Sequence, residues 1–208
     1  MPNVLAIGGL VASLLGSPVL GEPATTVPSE KIAISVETVN GSGCPAGTAE
    51  VTAAGNTAFT VSYRDYLAWV GVGAKATDAR KNCQLNLRIR VPEGFTYAIA
   101  QVEHQGFAHL ADGATGLQAA HYYFTGTSPT AHVSHEFRGP FTDSWRTVDR
   151  AEVLVYAPCG EQRNLNINTE LRVDAGSSDV DRTVSLMAMD STRAGVRTIY
   201  HLSWKECA

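Results

Sequence analysis

The placement of cysteine constrains this chain more than any other feature. Cys44, Cys83, Cys159 and Cys207 are spread along 208 residues behind an apolar N-terminal stretch. An even cysteine count on an exported chain reads as a disulfide frame. Four cysteines allow three pairings, among which the sequence does not decide. Neighbour pairing, Cys44 with Cys83 and Cys159 with Cys207, is favoured because it staples each half of the chain to itself. Loops of that length stabilise by roughly 4 kcal/mol each when closed, on the chain-entropy account. Zinc is the competing use of cysteine, but structural zinc sites draw on pairs two to four residues apart. No such spacing occurs here.

The apolar run Val4–Leu15 is too short and too glycine-rich to span a bilayer as a stable helix. Gly21, with Val19 two positions before it, suits a signal-peptidase site, so residues 1–21 read as a signal peptide. No Lys or Arg precedes the run, leaving the amino terminus as its positive charge. Residues 22–30, with Pro23 and Pro28, read as a flexible polar arm, and 31–208 as one domain. No later segment has the apolar length of a membrane helix, so no membrane association is expected after signal removal. A net charge of −4 without a basic cluster lacks the electrostatic footprint of a nucleic-acid binder.

Period-two alternation gives the fold class. In Cys83–Val91 the odd positions are apolar or Cys and the even ones polar, until Pro92-Glu93-Gly94 ends the run. The pattern returns in Asn164–Val173, where Leu165, Ile167, Leu171 and Val173 face one way and Asn164, Asn166, Asn168, Glu170 and Arg172 the other. A one-residue slip would exchange these faces, so both registers are strongly specified. Further strands are expected over Ile32–Val39, Ala58–Tyr63, Thr96–Gln105, Gly116–Phe124, Val153–Tyr156, Val184–Asp190 and Thr198–Trp204. One short helical piece is expected at Thr77–Lys81, capped by Thr77. Many short strands separated by turn residues predict an all-β, antiparallel β-sandwich, jelly-roll-like and disulfide-stapled.

Several motifs carry a family likeness. Asn40-Gly41-Ser42-Gly43-Cys44-Pro45-Ala46-Gly47-Thr48, Arg80-Lys81-Asn82-Cys83-Gln84-Leu85, Arg163–Thr169 and the closing Tyr200–Cys207 resemble a family of small secreted fungal and bacterial proteins known as a domain of unknown function. The likeness runs from about residue 31 to the C-terminus, and all four cysteines fall inside its motifs. It implies export and a disulfide-bonded β fold, and it brings no catalytic residues with it.

Candidate sites follow from residue chemistry. His132-Val133-Ser134-His135-Glu136 is the tightest histidine group. On a helical turn His132 and His135 would converge as weak metal ligands, and on a strand they would point apart. Ser128-Pro129 nearby favours a loop bearing exposed histidines. No histidine precedes His104, which excludes a copper site built on an N-terminal histidine. Neither a Gly-x-Ser-x-Gly elbow nor a His-Glu-x-x-His helix is present, and Gly71-Val72-Gly73-Ala74-Lys75 lacks phosphate-loop spacing. No cofactor is called for. The row Asn164, Asn166 and Asn168 offers side-chain amides on one strand face to sugar hydroxyls or a partner backbone. Tyr122, Tyr123, Trp145 and Trp69 are candidate stacking surface, and Trp204, in phase with Tyr200 and Leu202, belongs with the core. Asn40-Gly41-Ser42 is the one glycosylation sequon, of use only in a eukaryote. These features predict a secreted, non-catalytic binding module for an extracellular glycan or protein. The alternative is a secreted hydrolase or a metal-dependent enzyme of unrecognised type.

Overall fold

A computed structural model describes residues 26–127, 131–189 and 196–207. The expected signal peptide, residues 1–21, lies outside the described residues, as do Ser128, Pro129 and Asp190. In chain order the strands are β1 (Ala33–Asn40), β2 (Ala49–Ala54), β3 (Ala58–Tyr63), β4 (Leu67–Gly71), β5 (Arg80–Arg90) and β6 (Phe95–Leu110). They continue as β7 (Thr115–Phe124), β8 (Ala131–Arg138), β9 (Phe141–Arg150), β10 (Leu165–Asp174), β11 (Val184–Ala188) and β12 (Thr198–Glu206).

One sheet has the order β1-β5-β10-β7-β8, and all its pairings are antiparallel. The other is organised on the 16-residue β6. Its one edge pairs first with β12 and then, beyond Gly106, with β11, while β9 takes the opposite edge. β3 and β2 extend the sheet past β12, and β4 extends it past β11. The sheets pack face to face on one apolar cluster. Leu85, Leu87 and Ile89 of β5 and Leu165, Ile167 and Leu171 of β10 meet Phe59, Val61, Tyr200 and Trp204 from the larger sheet. The protein is an all-β, jelly-roll-like antiparallel sandwich, and the alternation of β5, β10 and β12 is what buries one face of each strand.

Both disulfides close between sequence neighbours. Cys44–Cys83 ties the β1–β2 connection to β5, and Cys159–Cys207 ties the segment before β10 to the end of β12. Asn56, at the β2–β3 turn, holds the chain before β1. Its Nδ2 donates to the carbonyls of Pro28 and Glu30, and its Oδ1 accepts from the Ile32 N–H. The part of the expected flexible arm from Pro28 onward is therefore pinned.

Three expectations need correction. Val153–Tyr156 is not a strand, and Val153 and Val155 are exposed. The chain follows the edge of β6 as far as Ala151, which donates to Ala100, and returns at Ala157, which donates to Tyr97. The β-branched run between them bows outward, where it has no ladder to join. The helical piece is a single 3-10 turn at Ala76–Asp78, entered at Lys75 and not Thr77, because Arg80 and Lys81 already belong to β5. The His132–Glu136 stretch is the middle of β8, not a loop.

Candidate functional site

Sheet register carries outward side chains of β5, β10, β7 and β8 into cross-strand rows. Asn168 faces Gln84 on one side and His121 on the other, and His132 follows on β8. One step along, Glu170 faces Asn82 and Ala119, with Ser134 beyond. Next, Arg172 faces Arg80 and Leu117. The two small residues set the shape. Ala119 points outward yet is only 9% exposed, because taller neighbours stand around it. The result is a groove of about 420 Å³ floored by Ala119 and Ser134 and walled by arginine, amide and imidazole groups.

The asparagine row divides into two parts. Asn164 Nδ2 donates to Asn86 Oδ1 at 2.7 Å, Asn86 Nδ2 to Asn166 Oδ1 at 2.8 Å, and Asn166 Nδ2 to Thr125 Oγ1 at 2.9 Å. That ladder occupies Asn164 and Asn166 internally. Among the described residues no side-chain hydrogen bond engages Asn168 or Gln84, and both line the groove. At the far end, Glu170 accepts from Arg80 through Oε2 and from Arg172 through Oε1. Burial would raise the Glu170 carboxyl, but the two guanidinium hydrogen bonds and charges outweigh it and hold it below the usual carboxylate range. At the near end, the His121 and His132 rings lie 4.2 Å apart. Partial burial, and then the neighbouring His132, push the His121 imidazole down, with Glu170 opposing.

His132 and His135 do not converge, since β8 sends them to opposite faces. His135 opposes the buried Gln118 and binds Asp149 Oδ1 through Nε2 at 2.8 Å, bridging β8 to β9 at the sandwich edge. Among the described residues no cluster of three or more His, Cys, Asp or Glu is placed to hold a metal. Of the aromatic candidates only Tyr123 shares the groove's sheet face, opposite Asn166. Tyr122 points inward with Oη 2.7 Å from His104 Nε2, and Trp145 is buried against Phe137. Trp69 lies on β4, opposite Leu186 in the other sheet, and Trp204 is core, donating to the Asn56 carbonyl. His104 is fully buried, and burial followed by the charge of His135 pushes its imidazole down to about 3. Asn40 is exposed at the end of β1 opposite Gln84, so its sequon sits at the edge of the Gln84–Asn168 row.

Sequence reasoning left Arg80, Gln84, Ala119, His121, Ser134, Glu170 and Arg172 unassigned. The alternation of β5 and β10 already gave the outward direction of Gln84, Glu170 and Arg172. What it lacked was the pairing register, which alone brings β7 and β8 beside them.

Fold and groove together define a class: a disulfide-stapled β-sandwich carrying a polar groove on a rigid sheet face. Residues 30–207 match a family model, and the chain belongs to that family, described as Domain of unknown function (DUF4360). A protein of Arthroderma benhamiae described as an uncharacterized secreted protein is 32% identical over 182 residues, spanning 86% of this chain and 73% of its own length. With both disulfides formed, this chain is likewise a secreted protein. Among solved structures, TmCBM61 in complex with β-1,4-galactotriose aligns over 85% of this chain and 88% of its own, at 13% identity and a TM-score of 0.29. The enzymatically active domain of bacteriophage CBA120 tailspike protein 4 aligns over 85% of this chain and 19% of its own, at 13% identity and a TM-score of 0.26. At these scores neither overlay transfers a site.

Proposed function

We propose that this chain is a secreted, non-catalytic module that binds an extracellular glycan in the groove on the outer face of the five-stranded sheet. The observation that carries this reading is the pair of amides, Gln84 and Asn168, which no side-chain hydrogen bond among the described residues engages, side by side in a groove whose floor and walls are fixed by strand pairing. Each amide offers donors and an acceptor, the combination that a sugar hydroxyl array satisfies. Mounting them on strands and not on loops keeps them positioned before a ligand arrives.

Glu170 supports the non-catalytic half of the reading. Among the described residues it is the one carboxylate lining the groove, and two arginines hold it ionised. Glycoside hydrolysis by the usual route needs two carboxyl groups with separate acid and base or nucleophile roles. In this reading residues 1–21 act as the export signal and 31–208 as one domain, and mass spectrometry of secreted material is expected to find a chain beginning near Glu22.

The deciding experiment is a pull-down on a panel of insoluble glycans, comparing wild type with a Gln84→Ala/Asn168→Ala variant of unchanged thermal stability. Retention of wild type on at least one polymer, reduced at least tenfold in the variant, supports the reading. Equal retention of both proteins moves the site elsewhere. Release of soluble sugar from the retained polymer would make the protein a hydrolase.

A further inference from the structure

The groove holds a charge arrangement that the stability of the sheet does not call for. Arg80 and Arg172 are direct cross-strand partners. Like charges placed opposite each other on one sheet face repel, and such pairs cost stability. One carboxylate, Glu170, serves both guanidinium groups, giving one oxygen to each. In the groove lining two guanidinium charges thus face one carboxylate, in a chain whose net charge is −4. Each arginine also keeps most of its five N–H donors uncommitted to Glu170, and their side chains are 61% and 51% exposed. Four residues of strand away, roughly 13 Å at the usual rise per residue, the adjacent, mutually tilted rings of His121 and His132 form a second pair of nitrogen-rich side chains. The Ala119–Ser134 floor runs between the two pairs.

Resting on the glycan-binding reading, we infer that the ligand is an acidic polysaccharide, a uronic-acid polymer lying along the strands with a carboxylate on the Arg80–Arg172 pair. Guanidinium groups match carboxylates in planar geometry and form charge-assisted hydrogen bonds roughly twice as strong as neutral ones. Glu170, one step along β10 toward the amides, accepts from both forks and leaves most of their donors for a ligand. Gln84, Asn168, His121 and His132 share one cross-strand row, so the same further stretch of the polymer meets the amides with its hydroxyls and the histidine pair with an acid group.

Isothermal titration with polygalacturonate and with alginate, each beside its methyl-esterified form, tests the assignment. The expected result is that at least one acid form binds at least tenfold more tightly than its ester and weakens with added salt. A neutral triple variant, Arg80→Gln/Glu170→Gln/Arg172→Gln, leaves no uncompensated carboxylate behind. It is expected to lose at least tenfold on that acid form while keeping the wild-type melting temperature. Arg172→Lys keeps the charge but not the fork, so it is expected to recover only part of that affinity. Arg182→Gln, on an exposed loop, is expected to bind as wild type does. Equal affinity for acid and ester, or undiminished binding by the triple variant, overturns the inference. If neutral glycans bind and Gln84→Ala/Asn168→Ala abolishes that binding, the acidic ligand is wrong while the groove remains the site. If no glycan of either kind binds, both fall.

Discussion

Single residues of this protein titrate and hydrogen-bond according to the face they occupy. His104 is sealed between the sheets with Tyr122 and Thr198 at its two nitrogens, and burial holds its imidazole near 3. Its folded value lies below the ordinary value of about 6.5, so the unfolded chain binds the extra proton. The stability due to neutral His104 is therefore complete above about 6.5 and is lost as pH falls toward 3. The loss approaches 1.4 kcal/mol per pH unit in that window. Denaturant melts of wild type and His104→Gln at pH 7 and pH 4.5 check this. The variant is expected to be less stable at pH 7 and to show the shallower loss on acidification. Asn166 and Asn168 make a second contrast. Asn166→Ser breaks the ladder to Asn86 and Thr125 and is expected to lower stability by about 1 kcal/mol without touching ligand affinity. Asn168→Ala, in the groove, is expected to do the reverse. The sequence showed both asparagines pointing the same way, but it gave no sign that Asn166 alone is engaged among the described residues, because its partners lie 41 and 80 residues away.

At the scale of elements, the strands that alternate most cleanly were the most legible, and β8 and β9, with polar groups inside, were not. β5, β10 and β12 bury every second side chain, and these are apolar or cysteine except Thr169 and Thr198, so their alternation is written in the residue types. β8 has the same geometry, but His135 occupies an inward position to reach Asp149, and β9 places Thr147 and Asp149 there. Polar residues at inward positions erase the apolar–polar contrast on which strand recognition depends. Ile167→Ala, at a fully buried position of β10, is expected to cost about 2–5 kcal/mol in chemical denaturation. Gly106 of β6 tests the opposite fault. A Cβ there would overlap the Trp145 ring and the Ala188 carbonyl, where β9 and β11 close on both edges of β6. Gly106→Ala is therefore expected to destabilise by about 1–3 kcal/mol or more through overpacking, read as a lower denaturation midpoint.

For the whole molecule, the two disulfides differ in protection although they close loops of similar length, 39 and 48 residues. Cys44 and Cys83 are buried, whereas Cys159 is exposed. Exchange needs an attacking thiolate to reach sulfur. Graded dithiothreitol followed by alkylation and peptide mapping is expected to open Cys159–Cys207 first, and Cys44–Cys83 only near global unfolding. Simultaneous opening of both bonds would show that burial does not protect the first. Loss of the outer bridge is expected to lower stability by up to about 4 kcal/mol on the loop-entropy account.

Compartment, β class and the faces of the best strands can all be read from the order of residues along the chain. Cysteine number and residue alternation are local facts, and burial of one strand face requires only that some other sheet cover it. The tertiary structure alone decided the cross-strand register. Register brings Arg80 to Arg172, sets Asn168 beside Gln84, and places His121 against His132 next to an alanine floor. Those neighbours come from four strands separated in sequence, and no local pattern encodes which residue of one strand will stand opposite which residue of another.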